Sequence, residues 1–339
     1  MKFIKIRAPD FDLAMTLDSG QVFHWEKVGH GFVGAIEDLA VYVEQRDAAL
    51  RVQMEGGAPA TPGVLRSRSR ELAPPFVQLV ARYFALDHPL ANICDSFPRD
   101  PVMNAARDFC RGLRIIRQSK WECLATFICS SMKQVAHIRQ ISLALRKRFG
   151  EPRKVGNHVV YTFPPAPRIA EASESALRDC ALGYRAKNLR ATARLVRSGE
   201  ADLEAWSALS DAELRKQLCA LPGVGPKIAN CVMLFAYERL RAFPIDVWIE
   251  RVLRQQYLPR RKKMTAQRLR DFSESYFGQH GGYAQQYLFH HARVSSRKSA
   301  RSRGTRTQKK SVIARTQSPA REPRALPRSM RRKLSAPVA

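Results

Sequence analysis

Lys227 and Asp246 are the two residues of this chain best suited to chemistry. Lys227 follows the glycine-rich turn LPGVGP and stands in the first turn of a predicted helix. The positive end of that helix favours the neutral amine, which is the form that a nucleophilic lysine needs. Asp246, in PIDVWIERVL, precedes another helical pattern, where an aspartate is a good N-cap and keeps its carboxylate near the helix start. Each has a simpler interpretation: a lysine that touches phosphate, and an aspartate that only caps.

The elements around Lys227 form a predicted helix-hairpin-helix over AELRKQLCALPGVGPKIANCVMLF. Leucines recur at helical spacing before the turn, and Ile228 and Cys231 lie on one face after it. Gly223 and Gly225 can adopt the positive φ that a hairpin this tight requires. The N–H groups that open the second helix favour a phosphate, so the pattern predicts a grip on the DNA backbone. The alternative is an ordinary αα-hairpin.

Beside such a grip, the lysine and the aspartate suggest attack on the C1′ atom of a sugar. The carboxylate would stabilise the oxocarbenium charge as the base leaves, and the amine would add to form a Schiff base.

Charge and composition favour a polyanionic partner. The 339 residues carry 58 Lys and Arg against 30 Asp and Glu, a net charge of +28. A surplus of this size points to nucleic acid first and to an anionic membrane second. No apolar run is long enough for a spanning helix, so no membrane association is expected. The seven cysteines form no C-x-x-C pair, which favours a reducing compartment and suggests no metal site.

The pattern of elements predicts an α+β fold in three parts. Residues 1–97 form an N-terminal domain built on an antiparallel β-sheet, with strands expected at 21–27, 31–36, 39–45 and 49–54. Residues 98–294 show apolar spacing of three and four and form a mostly helical body. Residues 295–339 hold 14 Lys and Arg and one acid, without an aromatic residue, and are expected to be a disordered basic tail.

Five stretches give the chain a family resemblance. LPGVGPKIANCV followed by PIDVW resembles the helix-hairpin-helix glycosylases of the Gly/Pro-Asp superfamily. LDSGQVFHW (17–25), WECLATFICSS (121–131), LGYRAKNLRATAR (182–194) and GYAQQYLF (282–289) narrow this to the 8-oxoguanine DNA glycosylase/AP lyase family. The likeness runs over roughly residues 5–293, in family order.

The resemblance implies a role for each matching residue. Lys227 matches the nucleophile and Asp246 the catalytic aspartate. Gly20 matches the glycine whose carbonyl accepts the N7–H that 8-oxoguanine has and guanine lacks, and Gln285 the glutamine that binds the Watson–Crick edge. Phe289 and Cys231 match the walls that enclose the flipped base. The expected DNA contacts are Tyr184 as a wedge in the duplex, Arg185 at the orphaned cytosine, and Gly223, Gly225, Ile228, Trp248 and His137.

Three places depart from the family pattern. Met132, Lys133 and Gln134 stand where eukaryotic members have an asparagine-rich turn. His137 occupies an arginine position, and Trp248 replaces a histidine. These changes concern how the opposite base is recognised rather than the lyase chemistry.

The sequence therefore predicts a monomeric enzyme that excises 8-oxoguanine from duplex DNA and nicks the abasic strand by β-elimination, with no metal or organic cofactor. It is expected in a bacterial cytoplasm with the nucleoid, or in a nucleus if eukaryotic. Two alternatives remain: a glycosylase of the same fold for another damaged base, and a non-catalytic architectural protein that binds DNA through its basic tail.

Overall fold

The computed structural model describes residues 3–55, 73–259 and 265–296. The described residues up to Arg293 belong to one compact unit. The predicted disordered tail lies, from residue 297 onward, outside the described residues. No helix in the described part of the chain is long and apolar enough to cross a membrane.

The N-terminal part contains five strands: β1 (Ile4–Arg7), β2 (Glu26–Val28), β3 (Gly31–Ile36), β4 (Leu39–Arg46) and β5 (Ala49–Glu55). They form one antiparallel sheet in the order β1-β5-β4-β3-β2. The predicted strands at 31–36, 39–45 and 49–54 are confirmed. A strand over 4–7, which alternates Ile with basic residues, was not predicted.

The predicted strand at 21–27 is wrong over 21–25, because strand β2 begins only at Glu26. All five side chains from Gln21 to Trp25 are buried. Val22 and Trp25 pack into the core of the sheet, whereas Phe23 packs into the core of the helical body. The segment lies between the core of the sheet and the core of the helical body. Its apolar content therefore reflects burial on both sides rather than strand pairing.

The described residues also form fourteen α-helices and one β-hairpin. The helices that follow the sheet's first strand and precede the hairpin are α1 (Leu13–Asp18), α2 (Ala73–Tyr83), α3 (Leu90–Asp95), α4 (Pro101–Phe109), α5 (Lys120–Cys129) and α6 (Val135–Phe149). The hairpin pairs β6 (Pro152–Val155) with β7 (His158–Tyr161). After it come α7 (Ala166–Glu171), α8 (Glu174–Leu177), α9 (Arg185–Ser198), α10 (Asp211–Ala220), α11 (Pro226–Ala236), α12 (Val247–Val252), α13 (Ala266–Tyr276) and α14 (281–296).

Two aromatic rings fix the helices that build the centre of the body. Phe127 of α5 and Phe235 of α11 stack with ring centroids 5.5 Å apart and an interplanar angle of 9°. Both rings are buried in the helical core, so α5 and α11 lie side by side. This pairing confirms the predicted helical body. The start of α11 also lies close to the end of α5, because Lys227 contacts Ser130 there.

The cores of the sheet and of the helical body share a boundary. Ile116, beyond the predicted boundary at residue 97, packs into the core of the sheet. The hairpin β6–β7 also leaves the helical body and covers the sheet, where Val155 packs with Val33 and Ala40. The division at 1–97 and 98–294 stays a prediction.

Candidate active site

The predicted helix-hairpin-helix is α10, a turn and α11. Ser210 and Glu213 form a capping box that starts α10, and Leu214 and Leu218 bury its inner face. Helix α11 starts at Pro226, with Gly225 as its N-cap. Since Ala229 makes the first intrahelical bond, to the Gly225 carbonyl, the N–H groups before it point out of the helix end.

The two glycines of the turn serve different purposes, and the expectation of positive φ at both is wrong for Gly225. Gly223 has φ +82°, and an added Cβ would lie 2.8 Å from Cβ of Asn188. Gly225 has φ −102° and ψ 179°, an extended conformation open to any residue. Nothing lies within 4 Å of an added Cβ there. The fold therefore requires glycine at 223 and leaves open space at 225.

Lys227 lies half-buried in the first turn of α11, above the end of α5. Its Nζ donates a long hydrogen bond of 3.4 Å to Oγ of Ser130 and lies 5.4 Å from the centre of the Phe127 ring. Neither contact is an ion pair, so the amine stays available at the edge of a cavity.

Asp246 is the N-cap of α12, as the sequence predicts. Its Oδ1 accepts a hydrogen bond of 2.9 Å from the N–H of Ile249. Burial raises the pKa of this carboxyl above its ordinary value, although the hydrogen bond from Ile249 and the charge of Lys227 act in the opposite direction. The cap holds the carboxylate at the helix start, facing the same cavity as Lys227.

One cavity collects the predicted catalytic pair and the predicted base-binding residues. Its lining consists of Gly20, Phe127, Lys227, Cys231, Phe235, Pro244, Asp246, Gln285, Gln286 and Phe289. The volume is about 40 Å³, which is room for a few water molecules. Residues from four separate parts of the chain meet here: Gly20, Phe127, the segment 227–246 and the segment 285–289.

Two walls of the cavity are an aromatic ring and a thiol, those of Phe289 and Cys231. An added Cβ on Gly20, whose φ is +85°, would lie 3.1 Å from the ring of Phe289. Cys231 is buried on α11, one turn after Lys227. Burial raises the pKa of the Cys231 thiol to about 11, so this wall is a neutral thiol at pH 7. A ring and a thiol suit the faces of a planar group.

Gln285 brings an unsatisfied polar atom to this cavity. The residue is 4% exposed. Its Oε1 is buried and accepts no hydrogen bond from any residue in the described ranges. Because a buried polar atom without a partner costs free energy, such an atom in a cavity points to a ligand with a hydrogen-bond donor.

The remaining predicted DNA contacts lie outside the cavity. Tyr184 is 57% exposed at the start of α9, and its role as a wedge stays a prediction. His137 is exposed near the start of α6, and Trp248 is half-buried in α12 with Arg251 over its ring. Ile228 is buried, so only its backbone N–H can face a phosphate.

The side chain of Arg185, the expected contact to the orphaned cytosine, lies inside the protein, which the sequence could not indicate. Its side chain is buried, and its guanidinium donates hydrogen bonds to the carbonyls of Ser131 and Leu182. The bond to Ser131 holds the turn whose next residue, Met132, has φ +53° and is 93% exposed.

Among the described residues, no cluster of three or more His, Cys, Asp and Glu is placed to hold a metal ion.

The sequence of this chain matches two known protein families over two consecutive stretches. Residues 125–276 match the HhH-GPD superfamily of base excision DNA repair proteins. Residues 3–124 match the N-terminal domain of 8-oxoguanine DNA glycosylase. The chain thus carries the hairpin fold of the superfamily, and together with its N-terminal domain it belongs to the 8-oxoguanine DNA glycosylase family.

Two relatives match more than four fifths of this chain. A probable N-glycosylase/DNA lyase of Methanothermobacter thermautotrophicus is 27% identical over 316 residues, which is 86% of this chain and 96% of the relative. The structure of MBOgg1 with a low-affinity DNA ligand has a TM-score of 0.78 and 30% identity, covering 87% of this chain and 100% of that one.

A third relative was solved with damaged DNA. The Clostridium acetobutylicum 8-oxoguanine glycosylase/lyase, bound to double-stranded DNA with cytosine opposite 8-oxoguanine, has a TM-score of 0.76. It is 27% identical, and the match covers 87% of this chain and 100% of that one.

Proposed function

We propose that this protein excises 8-oxoguanine from duplex DNA and then cleaves the abasic strand as a lyase. The observation that carries the proposal is the single cavity that holds Lys227, Asp246 and the buried, unpaired Oε1 of Gln285. A base can be attacked at its sugar only after it leaves the stack, and this cavity would receive it. A purine exceeds the volume present, so the walls of the cavity must move apart for it to enter.

Each edge of the base has a partner in this arrangement. The Oε1 atom of Gln285 accepts from the N–H groups on the Watson–Crick edge of a guanine. The carbonyl of Gly20 accepts the N7–H that distinguishes 8-oxoguanine from guanine. Guanine would leave that carbonyl unpaired, which costs about 1–3 kcal/mol.

The chemistry follows from the two residues at the sugar. The lone pair of the Lys227 amine forms a bond to C1′ while the C1′–N9 pair leaves with the base, which takes up a proton. The carboxylate of Asp246 stabilises the positive charge that develops on the sugar ring. Ring opening gives a Schiff base, and loss of a C2′ proton then expels the 3′ phosphate by β-elimination.

Borohydride trapping on an 8-oxoguanine duplex tests this function. Reduction of the Schiff base leaves a covalent protein–DNA adduct, whereas a purely architectural DNA-binding protein gives none. A same-fold glycosylase for alkylated bases would release those bases and leave 8-oxoguanine in place. No metal or organic cofactor enters the proposed steps.

The setting of this activity is also proposed. We expect a monomer on double-stranded DNA without membrane association, in a bacterial cytoplasm with the nucleoid or in a eukaryotic nucleus.

The hairpin glycines yield a prediction with a built-in control. Gly225→Ala should fold as the wild type does, because its added methyl meets no protein atom. It should bind undamaged duplex several-fold more weakly, because the methyl stands where a phosphate would approach the start of α11. Thermal melting and fluorescence anisotropy measure the two effects.

Gly223→Ala is the matched variant. It forces a side chain onto φ +82° against Asn188, so it should lower the free energy of unfolding by about 1 kcal/mol or more. Equal melting temperatures of the two variants would contradict the division of roles between the glycines.

A second prediction concerns the base opposite the lesion. Met132 has no strong donor, His137 is shorter than arginine, and Arg185 is engaged with backbone carbonyls. A good contact to a base edge provides about 1–3 kcal/mol of discrimination. We therefore expect the ratio of excision opposite cytosine to excision opposite other bases to be about 10- to 1,000-fold smaller than in eukaryotic members. Single-turnover excision from four duplexes that differ only in this base, with a eukaryotic member alongside, measures the preference. Equal selectivity would show that other residues recognise the cytosine.

A further inference from the structure

The loop that carries Gly20 is held by side chains on both sides of the glycine. Before it, the carbonyl of Ser19 accepts a hydrogen bond of 2.9 Å from Nε2 of Gln286. After it, the carbonyl of Gln21 accepts one of 2.8 Å from Nε2 of Gln118. Both donor side chains are buried. The two peptide groups adjacent to that of Gly20 are therefore tied to α14 and to the segment before α5.

Further bonds tie the same loop to the protein core. The side chain of Gln21, which is fully buried, donates to the carbonyl of Arg114 at 2.8 Å and accepts from the N–H of Ile116 at 2.7 Å. The carbonyl of Asp18 accepts from the guanidinium of Arg293, which is also buried on α14. The loop thus has fixed carbonyls at 18, 19 and 21.

Gly20 differs from these neighbours. None of the residues in the described ranges donates a hydrogen bond to its carbonyl, and the residue lines the cavity of Lys227. Its φ of +85° is a conformation in which glycine alone is free of strain. A glycine peptide without neighbouring restraints rotates easily. Because a hydrogen bond weakens when its donor and acceptor are misaligned, the Gly20 carbonyl must be held in one direction to accept a strong bond.

We infer that Gln286 is a positioning residue for base discrimination: through its bond to Ser19 it fixes the direction in which the Gly20 carbonyl meets the N7 edge of the base. This inference rests on the proposed function. By this inference, α14 controls the recognition of both edges of the base. Gln285 faces the Watson–Crick edge, and the next residue, Gln286, orients the Gly20 carbonyl that accepts from the N7 edge. Although Gln286 also lines the cavity, its proposed role is exerted through Ser19 and not on the reacting atoms.

The experiment compares Gln286→Met with a matched control. Methionine has nearly the volume of glutamine and removes the donor. Gln45→Met is the control, because Gln45 also bonds backbone groups, accepting from the N–H of Leu13 at 2.8 Å and donating to the carbonyl of Phe11, without contacting the Gly20 loop. Both substitutions are made in the full chain.

Two measurements separate recognition from stability. In a Lys227→Gln background, which binds without turnover, the ratio of affinities for duplexes with 8-oxoguanine and with guanine is determined. Gln286→Met should reduce that ratio about tenfold, the value of one hydrogen bond. Borohydride trapping on a preformed abasic site, which has no base to recognise, should fall by a much smaller factor than that ratio in the otherwise unmodified variant. Gln45→Met should change neither quantity.

Every outcome decides the matter. An unchanged ratio for Gln286→Met, with wild-type discrimination intact, overturns the positioning role. So does a parallel loss of abasic-site trapping, which would mean that Gln286 only supports the fold. Absence of discrimination or of trapping in the wild-type chain would instead refute the proposed function.

Discussion

Lys227→Gln is expected to reduce release of 8-oxoguanine and borohydride trapping to background. Among the described residues, Lys227 is the only amine that lines the cavity, and the buried Cys231 thiol there is neutral at pH 7, so the proposed mechanism has no substitute amine among them. Loss of a covalent nucleophile lowers a rate by several orders of magnitude, about 10⁴-fold or more. Single-turnover release of the base and gel detection of the trapped adduct measure the two losses.

The same substitution should leave the fold intact. The amine gives up only a long contact with Ser130 and a cation–π contact with Phe127, and exposed or half-buried contacts of this kind contribute little to stability. Lys216→Gln, on the exposed side of α10, removes the same charge away from the cavity and should keep full activity. Normal excision by Lys227→Gln would rule out the Schiff-base mechanism.

Local chemistry explains what the sequence could predict. The hairpin was predictable because its signals lie within a few residues: leucines at helical spacing, a glycine that needs positive φ, and a proline that starts the next helix. The cap at Asp246 was predictable for the same reason. The roles at Gly20, Gln285 and Phe289 came only from the resemblance, since no local pattern brings these three residues together.

Tertiary contacts explain what the sequence could not show. The apolar spacing of WECLATFICSSMKQVAHIRQISLALRKRF continues across a break between α5 and α6, where Met132 takes a positive φ without a glycine. Residues 21–25 have the composition of a strand but lie between two cores. Arg185 and Gln286 look like surface residues in the sequence, yet the fold buries both and directs them to backbone carbonyls.

Asp246→Asn should slow excision while preserving the structure around it. Asparagine caps a helix as well as aspartate, so the bond to the N–H of Ile249 can persist. Burial raises the pKa of Asp246, which means that the ionised form is destabilised in the folded protein. The cost in stability grows as the pH rises from the ordinary aspartate pKa through the raised one, and it is complete above the raised pKa. The neutral asparagine avoids this cost, so its melting temperature at pH 7 should equal or exceed that of the wild type.

The expected loss of rate comes from the missing charge. Removing a fixed stabiliser of transition-state charge costs about 3–4 kcal/mol, or a factor of about 10² to 10³ in single-turnover excision. Trapping at a preformed abasic site builds no oxocarbenium ion and should fall much less.

The pH dependence of excision tests the same carboxylate. Because only the ionised carboxylate stabilises the oxocarbenium ion, wild-type excision should decline on acidification through a pKa that lies above the ordinary aspartate value. The acidic decline should be absent from the Asp246→Asn variant over the same range. A wild-type rate for this variant, or an unchanged pH profile, would show that the carboxylate caps α12 and does nothing more.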